Sequence, residues 1–140
     1  MNRVFVEKQP EFNAQARELL HDLREYLNLH QLENVRVIQR YDVEGLSGDE
    51  FADTARLILS EPQVDIIYES LVLVDNECSF AVEYLPGQYD QRADSAAQCI
   101  QILFQSNKLQ VSSAHVIILK GSITLEELEA VKNYTINAVD

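Results

Sequence analysis

The sequence runs through one pattern of strand and helix signals and then runs through it again. Phe12, Ala16, Leu23 and Leu27 meet Tyr89, Ala93, Ile100 and Phe104 at a shift of 77 (89 − 12 = 77). Ser47, Glu50, Phe51 and Leu59 meet Thr124, Glu127, Leu128 and Ile136 at that same shift of 77. Val6-Glu7 and Val82-Glu83 correspond at 76, as do Pro10 and Pro86, so one residue is inserted just after the second proline. The middle strand drifts by a residue or two. Amphipathic segments resemble one another by chance, but two capping-box sequences at one common shift favour an internal duplication. Repeats of this length are not solenoid units. Two copies behave as a fused dimer, each half covering the other's open apolar sheet face or edge.

Each copy reads strand, helix, strand, helix. Residues 3–8 alternate and are β-branched, and Pro10 ends that strand. Phe12, Ala16, Leu19, Leu20, Leu23 and Leu27 trace one helical face. Residues 35–43 return to a strand, and Gly45 breaks it. Ser47 and Glu50 form a capping-box sequence before Phe51, Ala55, Ile58 and Leu59. Residues 64–74, VDIIYESLVLV, read as one long strand, and Asp75-Asn76 as a turn. In the second copy residues 79–85 form a strand, and Ala93, Ala96, Ala97, Ile100, Leu103 and Phe104 a helical face. Residues 114–119, AHVIIL, are the most apolar strand and therefore expected to be central. Thr124 and Glu127 cap a last helix, which turns Leu128, Val131 and Tyr134 or Thr135 inward. The fold expected is α/β, a two-layer sandwich of two related βαβα(β) halves, residues 1–75 and 76–140, with right-handed crossovers within a sheet.

At 140 residues the chain suits one domain and buries enough surface to fold without a disulfide or metal. A net charge of −12 argues against nucleic-acid or anionic-membrane binding, because phosphate binding needs a basic surface. No apolar run approaches the roughly 20 residues of a membrane span. The N-terminus, MNRVFVEK, carries no signal-peptide pattern. Two distant cysteines without CxxC spacing fit a reduced, cytoplasmic chain.

Catalytic signatures are lacking. His21, His30 and His115 share no short spacing suited to a metal, and His115 in its strand is expected to face solvent. Cys99 reads as a small core residue. Cys78 lies beside Glu77, which raises a thiol pKa. Asp49-Glu50 and Glu126-Glu127 are explained by first helical turns. There is no nucleophile elbow and no phosphate-binding glycine loop. Residues 83–100, EYLPGQYDQRADSAAQCI, concentrate polar groups beyond what folding needs. Pro86-Gly87 make a turn, Asp90 suits an N-cap, and Gln88, Asp90, Gln91 and Arg92 crowd a helix start fit to meet an anion or a partner's carboxylate. The first-half counterpart, QPEFNAQARELL, has fewer such groups.

LPGQYDQRADSAAQ (85–98) resembles a stretch of phosphoribosylformylglycinamidine synthase, the glutamine-dependent ligase of purine biosynthesis. VFVEKQPEF (4–12), RYDVEGLS (40–47), IYESL (67–71) and KNYTINAVD (132–140) resemble that family in the same order. The likeness covers essentially the whole chain and is to the N-terminal domain of the single-chain form, a domain similar to a dimer of the small PurS subunit. It implies a PurS-like fused pseudo-dimer and a non-catalytic assembly domain. The family's reaction is the ATP- and glutamine-dependent amidation of formylglycinamide ribonucleotide. ATP, Mg²⁺ and the glutaminase cysteine belong to later domains, so no catalytic, cofactor or metal residue is expected here. The implied partners are the synthetase and glutaminase domains of the same enzyme. Pro86, Gly87, Gln88, Asp90, Gln91 and Arg92 are then candidates for interdomain contact. The second half lacks a strand matching 64–74, which leaves an edge or apolar face free for self-association. The competing reading is an independent α/β ligand- or effector-binding module.

Overall fold

The computed structural model describes residues 1–139. The strands are β1 (Asn2–Lys8), β2 (Leu32–Glu44), β3 (Asp65–Tyr68), β4 (Glu77–Glu83) and β5 (Gln110–Gly121). The helices are α1 (Ala14–Tyr26), α2 (Gly48–Leu57), α3 (Gln91–Phe104) and α4 (Leu125–Val139), with a short 3-10 turn at Pro10–Phe12. The strands form one sheet in the order β3-β1-β2-β5-β4, and every neighbouring pair is antiparallel. Among the described residues no helix is long and apolar enough to cross a membrane.

The α/β class is as expected, but the connections are not crossovers. A helix between two adjacent strands usually means that they run parallel. Here β2 is 13 residues long and β1 only 7, so β2 overhangs the end of β1. Helix α1 continues past the end of β1, packs on that overhang through Ala16 and Leu23 against Val35 and Val37, and the chain returns antiparallel. The α3 segment does the same between β4 and β5. The two hairpins share one register. Phe5↔Arg40 and Val6↔Gln39 become Ala81↔Val116 and Val82↔His115 when 76 is added to each number. The halves meet edge to edge, not face to face, along the ladder from Leu32↔Gly121 to Glu44↔Gln110. β5 is an inner strand between β2 and the edge strand β4, and Ala114 and Val116–Leu119 are buried.

All four helices cover one face. At one end α1 and α4 close over Val35, Val37, Ile117 and Leu119, with Val131 and Leu23 at the centre of that core. At the other end Ala55 of α2 and Ala96 of α3, with Leu59, close over Val4, Val6 and Tyr41. Both capping boxes form: Ser47 and Glu50 exchange two hydrogen bonds, and so do Thr124 and Glu127. Each satisfies two donors that a helix start leaves open.

The expected strand 64–74 is short, because only residues 65–68 pair. β3 lies on one edge of the sheet and β4 on the other, so residues 69–76 must cross the whole sheet to join them. A chain crossing strands cannot stay in their ladder. The strap runs on the face opposite the helices, where Leu71 packs on Ile38, Val116 and Ile118 with Phe5. Asn76 ends it with φ 65°, and its carbonyl accepts from Gly121 N–H at 2.9 Å. Ion pairs fill the rest of this face. Arg3 meets Asp42 at 2.6 Å, Arg36 meets Glu7 at 2.7 Å, and Arg40 reaches Asp42 and Glu83.

Candidate functional site

The polar helix start borders a crevice between the end of α2 and α3, over Tyr41 and His115 of the sheet. Pro86, Gly87, Gln88, Gln91 and Arg92 are exposed, as their candidacy for contact requires. Gly87 takes φ 88°, a left-handed turn that favours glycine. Gln88 folds back on the turn: its Oε1 accepts from Leu85 N–H at 2.7 Å, and its own N–H donates to the Leu85 carbonyl at 2.9 Å. Asp90 stands apart. It is half-buried, accepts from Ala93 N–H as the N-cap of α3, and takes the N–H and hydroxyl of Ser113 at 2.8 Å each. Its carboxylate is committed to holding α3 on β5. Asn13 occupies the same place in the first half, capping α1 and reaching the Val37 carbonyl. Tyr89 donates to Asp94, and that bond raises the phenol pKa.

Gln91 and Arg92 line the crevice together with Tyr41, Tyr84, Ser95, Cys99 and His115. Arg92 forms no salt bridge among the described residues, and it is the crevice's one charged lining residue. His115 departs from expectation. It points to the helix side of the sheet, half-buried, and reaches into the crevices on both sides of the midline. Its Nδ1 lies 2.8 Å from Nε2 of Gln39, its ladder partner, whose Oε1 is buried with no hydrogen-bond partner. Burial pushes the imidazole pKa down, the Arg92 charge pushes it the same way, and Asp90 opposes them. The ring is therefore neutral near pH 7.

Cys99 is exposed on α3 and not in the core, because the core face of α3 is Ala93, Ala96 and Ile100. Cys78 has the expected raised pKa, but burial is the cause, and Lys132 partly offsets it. Among the described residues no group of three His, Cys, Asp or Glu side chains is placed to hold a metal. No hydroxyl or thiol hydrogen-bonds to His115 among them, so no base–nucleophile pair is assembled there. The crevice presents one guanidinium, one amide and two tyrosines. Sequence reasoning located Gln91 and Arg92 but missed the Gln39–His115 floor. The repeat held the missing signal, since Gln39 advanced by 76 is His115. Comparison with protein-family models, curated proteins and solved structures returned no match.

Proposed function

We propose that this chain is a non-catalytic, PurS-like assembly domain of phosphoribosylformylglycinamidine synthase, acting in the cytoplasm and supporting the coupling of synthetase and glutaminase domains. The observation that carries the reading is the common register of the two hairpins at an offset of 76, with both joined along β2 and β5. That is the arrangement a fused pair of PurS-like subunits would give, and it adds to the motif stretches that resemble the ligase family. On this reading residues 1–75 and 76–140 are the two subunit equivalents. The exposed side chains of Pro86, Gly87, Gln88, Gln91 and Arg92 meet the rest of the enzyme, and Asp90 holds the helix that presents them. Removing residues 1–140 from the complete ligase polypeptide should abolish glutamine-dependent amidation of formylglycinamide ribonucleotide. Unchanged glutamine-dependent turnover would sink the proposal.

One observation favours the second reading, an effector-binding module. The crevice beside His115 carries an unpaired arginine and no acidic lining residue, in a chain of net charge −12. Calorimetry of the chain with purine nucleotides and with formylglycinamide ribonucleotide decides it, and absence of heat with all of them removes it.

A further inference from the structure

The two hairpins correspond strand for strand, yet only one has its outer edge covered. β3 adds to β1 through Phe5↔Tyr68, Val6↔Ile67, Glu7↔Ile66 and Lys8↔Asp65. Adding 76 to the β1 members gives Ala81, Val82, Glu83 and Tyr84. These lie on or just past β4, the opposite edge of the sheet, which has no outer neighbour among the described residues. Burial differs in step with that cover. Val4 and Val6 are buried in the first half, while their counterparts Phe80 and Val82 are half-buried. Leu59 is 6% exposed and its counterpart Ile136 is 50% exposed. A groove of about 510 Å³ lies there, lined by Phe80, Val82, Leu85, Lys132 and Ile136.

We propose that the free edge of β4 is a strand-addition site. It takes an extended polypeptide segment antiparallel to residues 80–84, in the register that β3 uses on β1. An unpaired edge offers a row of N–H and C=O groups, and pockets for alternate side chains give selectivity. The first half states the chemistry of the occupant. The residue opposite Val82 is apolar, as Ile67 is opposite Val6, and it closes over Ile136. Lys8 meets the acidic Asp65 at 4.0 Å, but Tyr84 replaces Lys8 at the corresponding place, so the residue opposite Tyr84 is uncharged. On the face away from the helices the 80–84 stretch presents Glu83, which stays largely exposed beside its partner Arg40, so the occupant carries no acidic residue there. A second copy of β4 fits poorly: a two-fold pairing centred on Phe80 sets Glu77 against Glu83 twice, in a chain of net charge −12. The proposal rests on the sheet alone and holds whether or not the domain serves a ligase.

The test uses the whole chain and a synthetic peptide with the sequence of residues 61–71, the chain's own edge strand and its approach, carrying Asp65→Asn so that no charge faces Tyr84. Binding should slow amide exchange in residues 80–84 at least tenfold and move NMR signals only there, at Leu85 and at Ile136. Ile136→Asp changes an exposed side chain, so it should leave the melting temperature of the free chain unmoved while weakening peptide binding at least tenfold. Three outcomes would overturn the proposal: no protection at millimolar peptide, protection confined to β1, or a sedimenting dimer that Ile136→Asp dissolves while the peptide fails to bind.

Discussion

Gly45 and Gly121 show how tightly single residues are specified here. Each closes a long inner strand, at φ 102° and 142°, and each is pressed against backbone from the other half. A Cβ on Gly45 would lie 2.7 Å from the Lys108 carbonyl oxygen, and one on Gly121 would lie 2.5 Å from that of Gln31. Alanine at either place meets both strain and overlap, so Gly45→Ala and Gly121→Ala should each cost about 1–3 kcal/mol in urea unfolding. Glycine between periodic segments signals a break, as Gly45 does in the sequence, but not the close approach, which needs the partner half in place. Arg92→Ala should stay within about 0.5 kcal/mol, as expected of an exposed side chain without an ion pair. His115 gives stability a pH dependence of defined sign. Its folded pKa lies below the ordinary 6.5, so the unfolded chain binds more protons between the two values. Stability should fall as pH drops from 6.5 through the folded value, and His115→Asn should flatten that slope in urea titrations at successive pH values. Alternation alone misplaced this side chain, because it fixes that faces alternate and not which face the helices cover.

Among the elements, α3 carries the sharpest contrast between what packs and what is presented. Ile100 is fully buried, and Ile100→Ala should lower stability by roughly 2–5 kcal/mol, read from the denaturant midpoint. Equal shifts for Ile100→Ala and Arg92→Ala would contradict the observed facing of the helix. The helices were the most legible elements. Ala16 and Leu23, Ala55, Ala93 and Ala96, and Val131 and Thr135 all turned inward as their spacing required. Leu103 and Phe12 fell outside their faces because each sits at a helix margin, where the 3.6-residue stripe no longer meets the sheet. The strap was illegible for a different reason. Residues 69–74 have the composition of a strand, and only the positions of β3 and β4 at opposite edges forbid pairing there. Leu71→Ala should still cost about 2 kcal/mol, the low end for a leucine truncation, since Leu71 is the strap's contact with Ile38, Val116 and Ile118.

As a whole molecule the chain is one sheet shared by two halves, and the shared ladder predicts how it unfolds. Neither half holds its central strand paired on both sides without the other. Far-UV signal and tyrosine near-UV signal should therefore report one coincident thermal transition. Leu23→Ala in one half and Ile100→Ala in the other should move that single transition, and two resolved transitions would contradict the shared sheet. The offset of 76 that relates the β1–β2 and β4–β5 hairpins was legible in the sequence, while the ladder that joins them was not. A repeat states what resembles what, and leaves open whether copies meet by faces or by edges. Residues 69–76 are the covalent link between those halves, and Val72, Leu73 and Val74 are exposed along it. The link sets the local concentration at which β2 finds β5. A protease that nicks the chain between Leu73 and Val74 would leave the ladder itself untouched and yet change the law that governs it. Two pieces would then have to find each other from solution, and a melting temperature indifferent to dilution would begin to depend on it.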